Sequence, residues 1–219
     1  MKGPVLSSGR EEEVGVEGIG KKYKVIIDYE ESFARAVARR VQMMKPLSVW
    51  QLLIPFVFIF DFLRLKAETE TFARNFLFIK KLALDAAFEN NKGEDRPDKL
   101  VQIEDEARKW LVSKNFFSQR ILQGQMGEIS LLIDHYSRLL DAEGDNYPSL
   151  VRGAYQTREH FADFLQKLSS AEKEIDRAVI AILEKKEGAW EAMLAKQKVI
   201  DEIRASSVCK FFSEPKGGQ

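Results

Sequence analysis

Cysteine is almost absent from this chain: Cys209 stands alone. A single thiol excludes an intramolecular disulfide and any metal site built from several cysteines. Histidine is nearly as scarce, with only His135 and His160. They do not form a His-x-x-x-His pair, and the Glu-x-x-His pattern of di-iron bundles does not occur. Net charge is missing too: 34 Lys+Arg balance 34 Asp+Glu. That balance argues against a dedicated nucleic-acid binder, which carries a basic surplus or a basic face. No Asn-x-Ser/Thr sequon occurs, and Met1-Lys-Gly-Pro-Val-Leu-Ser-Ser-Gly9 lacks the apolar run of a secretory signal. A cytoplasmic location is therefore the expectation.

What is present is apolar and helical in period. Hydrophobic residues make up 45% of the 219 positions, and phenylalanine is abundant, with 15 copies. The length suits one domain plus tails. Gly3, Gly9, Gly15, Gly18 and Gly20, with Pro4 and the run Glu11-Glu-Glu13, make the start read as a flexible tail and lead-in over 1–27. Lys22 to Ile27 reads as a short extended piece with no second strand to pair it.

From Asp28, taken as an N-cap, the spacing predicts a basic amphipathic helix over 28–45. Phe33, Val37, Val41 and Met44 recur every three to four residues beside Arg35, Arg39, Arg40 and Lys45. Pro46 ends it. Residues 46–65 then form the most apolar stretch, carrying Trp50, Leu53, Ile54, Phe56, Phe58, Ile59, Phe60 and Phe62 around Pro55.

Three long helices follow in this reading. The first covers about 56–90, with Phe58, Leu65, Phe72, Ile79 and Ala86 seven apart and Phe62, Thr69, Phe76 and Ala83 interleaved. Asn90-Asn-Lys-Gly93 stops it. The second covers 97–143, begins at Pro97, and changes its apolar stripe near Gly124 and Gly127, where a kink or a close helix crossing is expected. The third is one helix over 148–207, started by Pro148 and carried through Gly188 by unbroken sevenfold spacing from Phe161. Glu172, Lys186 and Lys196 are polar exceptions on its seams. Residues 208–219 read as a flexible tail. The predicted fold is all-α: a long antiparallel helical bundle with coiled-coil-like seams, entered through an apolar helix–bend–helix elbow.

Three readings compete for the elbow. It can be buried core, a shallow wedge at a membrane interface, or a transmembrane span. Its length suits a span, but Gln51, Pro55, Asp61 and Arg64 oppose one. Positive charge on both flanks (Arg35, Arg39, Arg40 and Lys45 before; Arg64, Lys66 and Arg74 after) is expected to hold both ends on the cytoplasmic side. A bent wedge resting on anionic headgroups satisfies these facts.

Nothing in the sequence assembles into a catalytic constellation. Gly15-Val-Glu-Gly-Ile-Gly20-Lys21 has phosphate-loop spacing, but Lys22 stands where a hydroxyl is needed. Both histidines read as helix-surface or boundary residues. Cys209 reads as a bystander thiol, with acylation at its apolar, basic surroundings as the one alternative. Glu104, Asp105, Glu106, Glu172, Glu174 and Asp176, interspersed with Lys and Arg, read as ion-paired surface faces.

No catalytic residue, cofactor site or metal site is expected. The functional expectation is a non-enzymatic scaffold or adaptor, touching the cytoplasmic face of a membrane through 46–65 and binding protein partners or itself through its helices. The alternatives are a soluble, oligomeric bundle with the Phe-rich segment as core or subunit interface, and a ligand-binding or enzymatic bundle with an apolar cavity.

Overall fold

The computed structural model describes residues 8–44, 68–91, 96–113, 117–182 and 189–213. Among these, seven helices are found: α1 (Ser8–Met44), α2 (Glu68–Asn90), α3 (Arg96–Ser113), α4 (Gln119–Asp141), α5 (Tyr147–Tyr155), α6 (Arg158–Ile182) and α7 (Ala189–Phe212). The described residues contain no strand.

Five of these helices close into a ring. α1 packs on α2, α2 on α4, α4 on α6, α6 on α7, and α7 returns to α1. Side-chain ladders give the directions. α2 opposes α1, since Tyr23 meets Asp85, Glu30 meets Lys80 and Arg35 meets Glu70. α7 also opposes α1, through Tyr29–Ser207 and Arg40–Glu202. α6 opposes α4, through Arg120–Glu174 and the stack of His135 on Phe164. It opposes α7 through Asp176–Lys196 and Ser169–Asp201. α3 lies outside the ring against α2, α4 and α6, and α5 closes the end where α4 finishes.

The sevenfold pattern follows burial closely. On α2, Phe76, Ile79, Ala83 and Ala86 are buried. On α6, so are Phe161, Leu168, Ile175 and Val179, while Ile182, next in the series, is exposed. On α4 the run Ile121, Leu122, Ile129, Leu132, Ile133, Tyr136, Leu139 and Leu140 faces inward. Each of the Leu, Ile, Val and Phe side chains among them contributes about 1.5–3 kcal/mol when fully buried.

Four sequence expectations are corrected. The first concerns the start. Residues 8–27 are helix, not tail, and Asp28 lies inside α1 rather than capping it. The glycines cost helix propensity, about 1 kcal/mol each. Tertiary contacts override that cost: Ile26 is fully buried, Ile19 and Tyr23 pack on the core, and Lys22 Nζ donates to the Leu140 carbonyl at 2.8 Å. The phosphate-loop spacing therefore lies within a helix.

The second correction is that 97–143 is two helices, and Ser118 before α4 is extended (φ −139°, ψ 135°). α3 and α4 pack on each other, and Leu111 of α3 shares a cluster with Ile121 and Leu122 of α4. The third is that 148–207 is three helices. α5 stops at Gln156, which has φ 63° and ψ −41°. Thr157 N–H donates to the Tyr155 carbonyl at 2.6 Å, which makes Gln156 the centre of a strained γ-turn. Thr157 Oγ1 then accepts from the His160 N–H at 3.2 Å and caps α6. α6 and α7 run antiparallel, so the phase continuity across Gly188 comes from two separate seams. The fourth correction is at the end: α7 continues to Phe212, Phe211 is buried, and its carbonyl accepts from Arg152 Nη1 at 2.7 Å. Residues 1–7, 45–67 and 214–219 lie outside the described residues, and so does the elbow.

Gly124 and Gly127 have different roles. A Cβ on Gly124 would stand 2.8 Å from Ile175 Cγ1, so this glycine permits the close crossing of α4 and α6. Gly127 has nothing within 4 Å of that position. Gly127→Ala should therefore raise stability by about 1 kcal/mol through propensity. Gly124→Ala should lower it, because overpacking costs about 1–3 kcal/mol and a β-branched neighbour yields little. Urea unfolding of the two variants checks the opposite signs.

Candidate functional site

The interior of the ring is ionic as well as apolar. Glu30 of α1 and Lys80 of α2 are both buried, with Lys80 Nζ 2.5 Å from Glu30 Oε2. Tyr136 of α4 donates to the other Glu30 oxygen at 3.0 Å. The Lys80 ammonium also lies 4.8 Å and 5.0 Å from the ring centres of Phe33 and Phe76, so its charge is held by a carboxylate and two π-faces. One layer along, Arg204 of α7 makes a two-pronged bond to Glu172 of α6, both arms 2.7 Å. Next to it, Asp176 accepts from Lys196 at 2.7 Å and from Gln197 at 2.9 Å.

These groups shift one another. Burial would raise Glu172, but the Arg204 guanidinium bonded to it holds it below the usual carboxylate range. Glu128 of α4, half-buried beside them, is pushed up to about 8 by burial and by Glu172; Asp176 acts in the same direction, against Lys80 and Arg204. The shift favours the neutral, protonated form of Glu128 in the folded protein. Glu30, Glu128, Glu172 and Asp176 face Lys80, Lys196 and Arg204, so a neutral Glu128 leaves this set balanced in charge.

His135 sits beside this layer. Its Nδ1 is 2.7 Å from the Tyr155 hydroxyl and its Nε2 is 3.2 Å from the Tyr147 hydroxyl. Its ring stacks on Phe164 at 4.3 Å. Burial, helped by Lys80, Arg138 and Arg204, drives its pKa down to about 3, so the imidazole is neutral: one nitrogen donates and the other accepts. The boundary reading of His135 is thus corrected, since it is 3% exposed and fully hydrogen-bonded. Tyr147 also stacks flat on Tyr29 at 3.6 Å. A cavity of about 30 Å³, large enough for a water molecule, lies among Glu30, Lys80, His135, Tyr147, Arg204 and Ser207.

A wider cleft of about 560 Å³ opens between α4, α5 and α6, lined by Asp134, Arg138, Tyr155, Gln156, His160 and Lys167 among others. Its volume suits a small molecule. Its charges are of both signs, and the hydrogen-bonded Tyr155 and His135 both stand in its wall. His160 is exposed, with Nδ1 3.1 Å from the Tyr155 carbonyl. Cys209 is exposed and near Arg158. Among the described residues no group of three His, Cys, Asp or Glu side chains could hold a metal ion.

The predicted contact residues divide in two. Arg35, Arg39 and Arg40 are exposed on the last turns of α1. Arg35 lies 3.2 Å from Glu31 and 3.9 Å from Glu70, and Arg40 lies 4.0 Å from Glu202. Their charge is therefore partly matched by acids. Lys45, Trp50, Leu53, Ile54, Phe56, Phe58, Ile59, Phe60 and Phe62 lie outside the described residues.

The surface reading of the carboxylates holds for Glu104, Asp105 and Glu174, which pair with Arg108, Lys109, and Arg120 and Arg177. It fails for Glu172 and Asp176. The signal was present: Glu172 and Lys196 interrupt apolar sevenfold series, and a polar residue on a buried seam needs a buried partner. Nothing comparable marked Glu30, which lies in a region read as a helix start. Neither family models, nor curated proteins, nor solved structures give a match to this chain.

Two predictions follow the electrostatics. Lys80→Met should cost about 3–5 kcal/mol by stranding Glu30, and Glu30→Leu added to it should recover most of that loss. Urea midpoints of the single and double variants decide this. The second concerns pH. Glu128 has a folded pKa near 8, above its unfolded value, so the folded state binds the extra proton and stability falls as pH rises towards 8. His135 has a folded pKa near 3, and Glu172 is also lowered, so stability falls as pH drops below their ordinary values. A stability maximum at mildly acidic pH is expected. Glu128→Gln should flatten the alkaline side only, as read from urea midpoints across pH.

Proposed function

We propose that this chain is a non-enzymatic helical scaffold or adaptor that attaches to the inner face of a membrane through residues 46–65. The observation that carries this reading is the antiparallel contact of α1 with α2. α1 ends at Met44 and α2 begins at Glu68, and Arg35 beside Glu70 fixes the two helices side by side. Both flanks of the apolar run therefore meet the bundle at the same end. A single crossing would put them on opposite sides of a bilayer; a wedge that enters and returns would not. No described helix is long and apolar enough to cross a membrane.

The acids beside Arg35 and Arg40 favour apolar insertion over electrostatic adsorption as the main source of affinity. The outer faces of the ring supply surfaces on which partners can dock. Flotation of the intact protein with anionic and with neutral vesicles tests the proposal. Binding is expected to persist at high salt. Phe58→Asp with Phe60→Asp should leave a folded protein in the unbound fraction. Unfolding of that double variant, with no flotation of the parent chain, would make the run internal core instead.

A further inference from the structure

We infer that a second, preformed lipid contact stands at the same end of the bundle: the facing ends of α6 and α7, with Ile182, Trp190 and Leu194, and Phe117 at the start of α4. This inference rests on the membrane reading above and adds to it a surface built from described residues.

Among the described residues, the large apolar side chains that are exposed are Val101, Val112, Phe117, Ile182, Trp190 and Leu194. All but Val101 lie at one end, and the helix register says which. Arg120 pairs with Glu174, and Lys196 pairs with Asp176. Ile182 is two turns beyond Glu174, Trp190 is six residues before Lys196, and Phe117 precedes Arg120. These three therefore project past the level of the ion pairs, in the same direction. α1 leads the same way, because Arg40 meets Glu202 of α7 and the helix runs on to Met44. The tip thus lies at the end of the bundle to which the C-terminus of α1 and the N-terminus of α2 also point.

Exposure makes this a built feature: Trp190 is 48% exposed and Leu194 is 49% exposed. Both stand beside the inward positions Met193 and Lys196 of the same helix, so the core leaves them outside. Cationic side chains lie one or two turns behind the tip: Arg120, Arg177 and Arg40 are all exposed. An apolar tip with an indole at its rim and guanidinium groups behind is the arrangement of an interfacial contact. The tip enters below the headgroups, and the arginines reach the phosphates. Arg120 and Arg177 share Glu174, which keeps their attraction for phosphate modest, so the apolar tip supplies most of the contact.

The test uses the full chain with Trp50→Phe and Trp110→Phe, which leaves Trp190 as the sole indole, and vesicles of mixed phosphatidylcholine and phosphatidylglycerol brominated at shallow acyl positions. On vesicle addition, Trp190 emission should shift to the blue and be quenched by the bromines. Trp190→Glu with Leu194→Glu should weaken vesicle binding about tenfold with helical circular dichroism unchanged. Protein that floats while Trp190 emission stays unshifted and unquenched overturns this inference and leaves attachment through 46–65 standing. Absence of flotation in the parent chain overturns both. A blue shift that grows with protein concentration without vesicles assigns the tip to a second copy or another protein surface, and overturns the lipid assignment.

Discussion

Charges enclosed among helices constrain this fold more than any apolar contact does. A Leu accepts many neighbours, but a buried ammonium or carboxylate accepts only a partner at the right height with the right sign. The acids come from α1, α4 and α6, and the cations from α2 and α7. Sliding α1, α2, α6 or α7 by one turn would separate a pair and strand both members. The apolar clusters fill the space around these pairs, but they do not by themselves define a register. Much of the remaining polar detail answers to the same need. Tyr136 completes the shell of Glu30, the aromatic faces of Phe33 and Phe76 hold Lys80, and Gln197 completes Asp176.

The same constraint accounts for what could be read from the sequence. All-helical character was legible because apolar residues recur at helical spacing on α2, α4 and α6. The stops at Asn90 and after Asp141 were legible because glycine and asparagine mark them, and Asn146 with Ser149 forms a reciprocal cap. The break at Gln156 was not. Tyr155, Gln156 and Thr157 include neither glycine nor proline, and the turn exists because aromatic packing of Tyr155 against His135 and Phe161 outweighs local strain. Thr157 followed by Glu159 was its one local trace. The start of α1 was misread for the converse reason: its glycines announce a loop, and distant contacts to Asp85 and Leu140 keep it helical.

The interior site was half legible. Lys196 and Glu172 stood out as polar residues on apolar series, so an ion pair within the bundle could be anticipated at those two positions. Their actual partners could not, because Lys196 pairs with Asp176 and Glu172 with Arg204 between two helices that unbroken sevenfold spacing presents as one. Glu30, Lys80 and His135 carry no such signature. Their burial is a property of the closed ring, and the ring depends on contacts between segments far apart in the chain.

That closure has a consequence during synthesis. α1 leaves the ribosome first and α7 last, yet Tyr29 and Ser207, 178 residues apart, end in contact. Until Arg204 emerges, Glu172, made 32 residues earlier, has no guanidinium to accept it. At about 5–20 residues per second that wait lasts a few seconds. Through it the nascent chain holds an open-sided assembly, with the Val37 and Val41 face of α1 uncovered and acids on α6 still hydrated. The last helix thus completes the interior: a chain cut short before Lys196 keeps Lys80 on Glu30 but leaves Glu172 and Asp176 without the cations of α7.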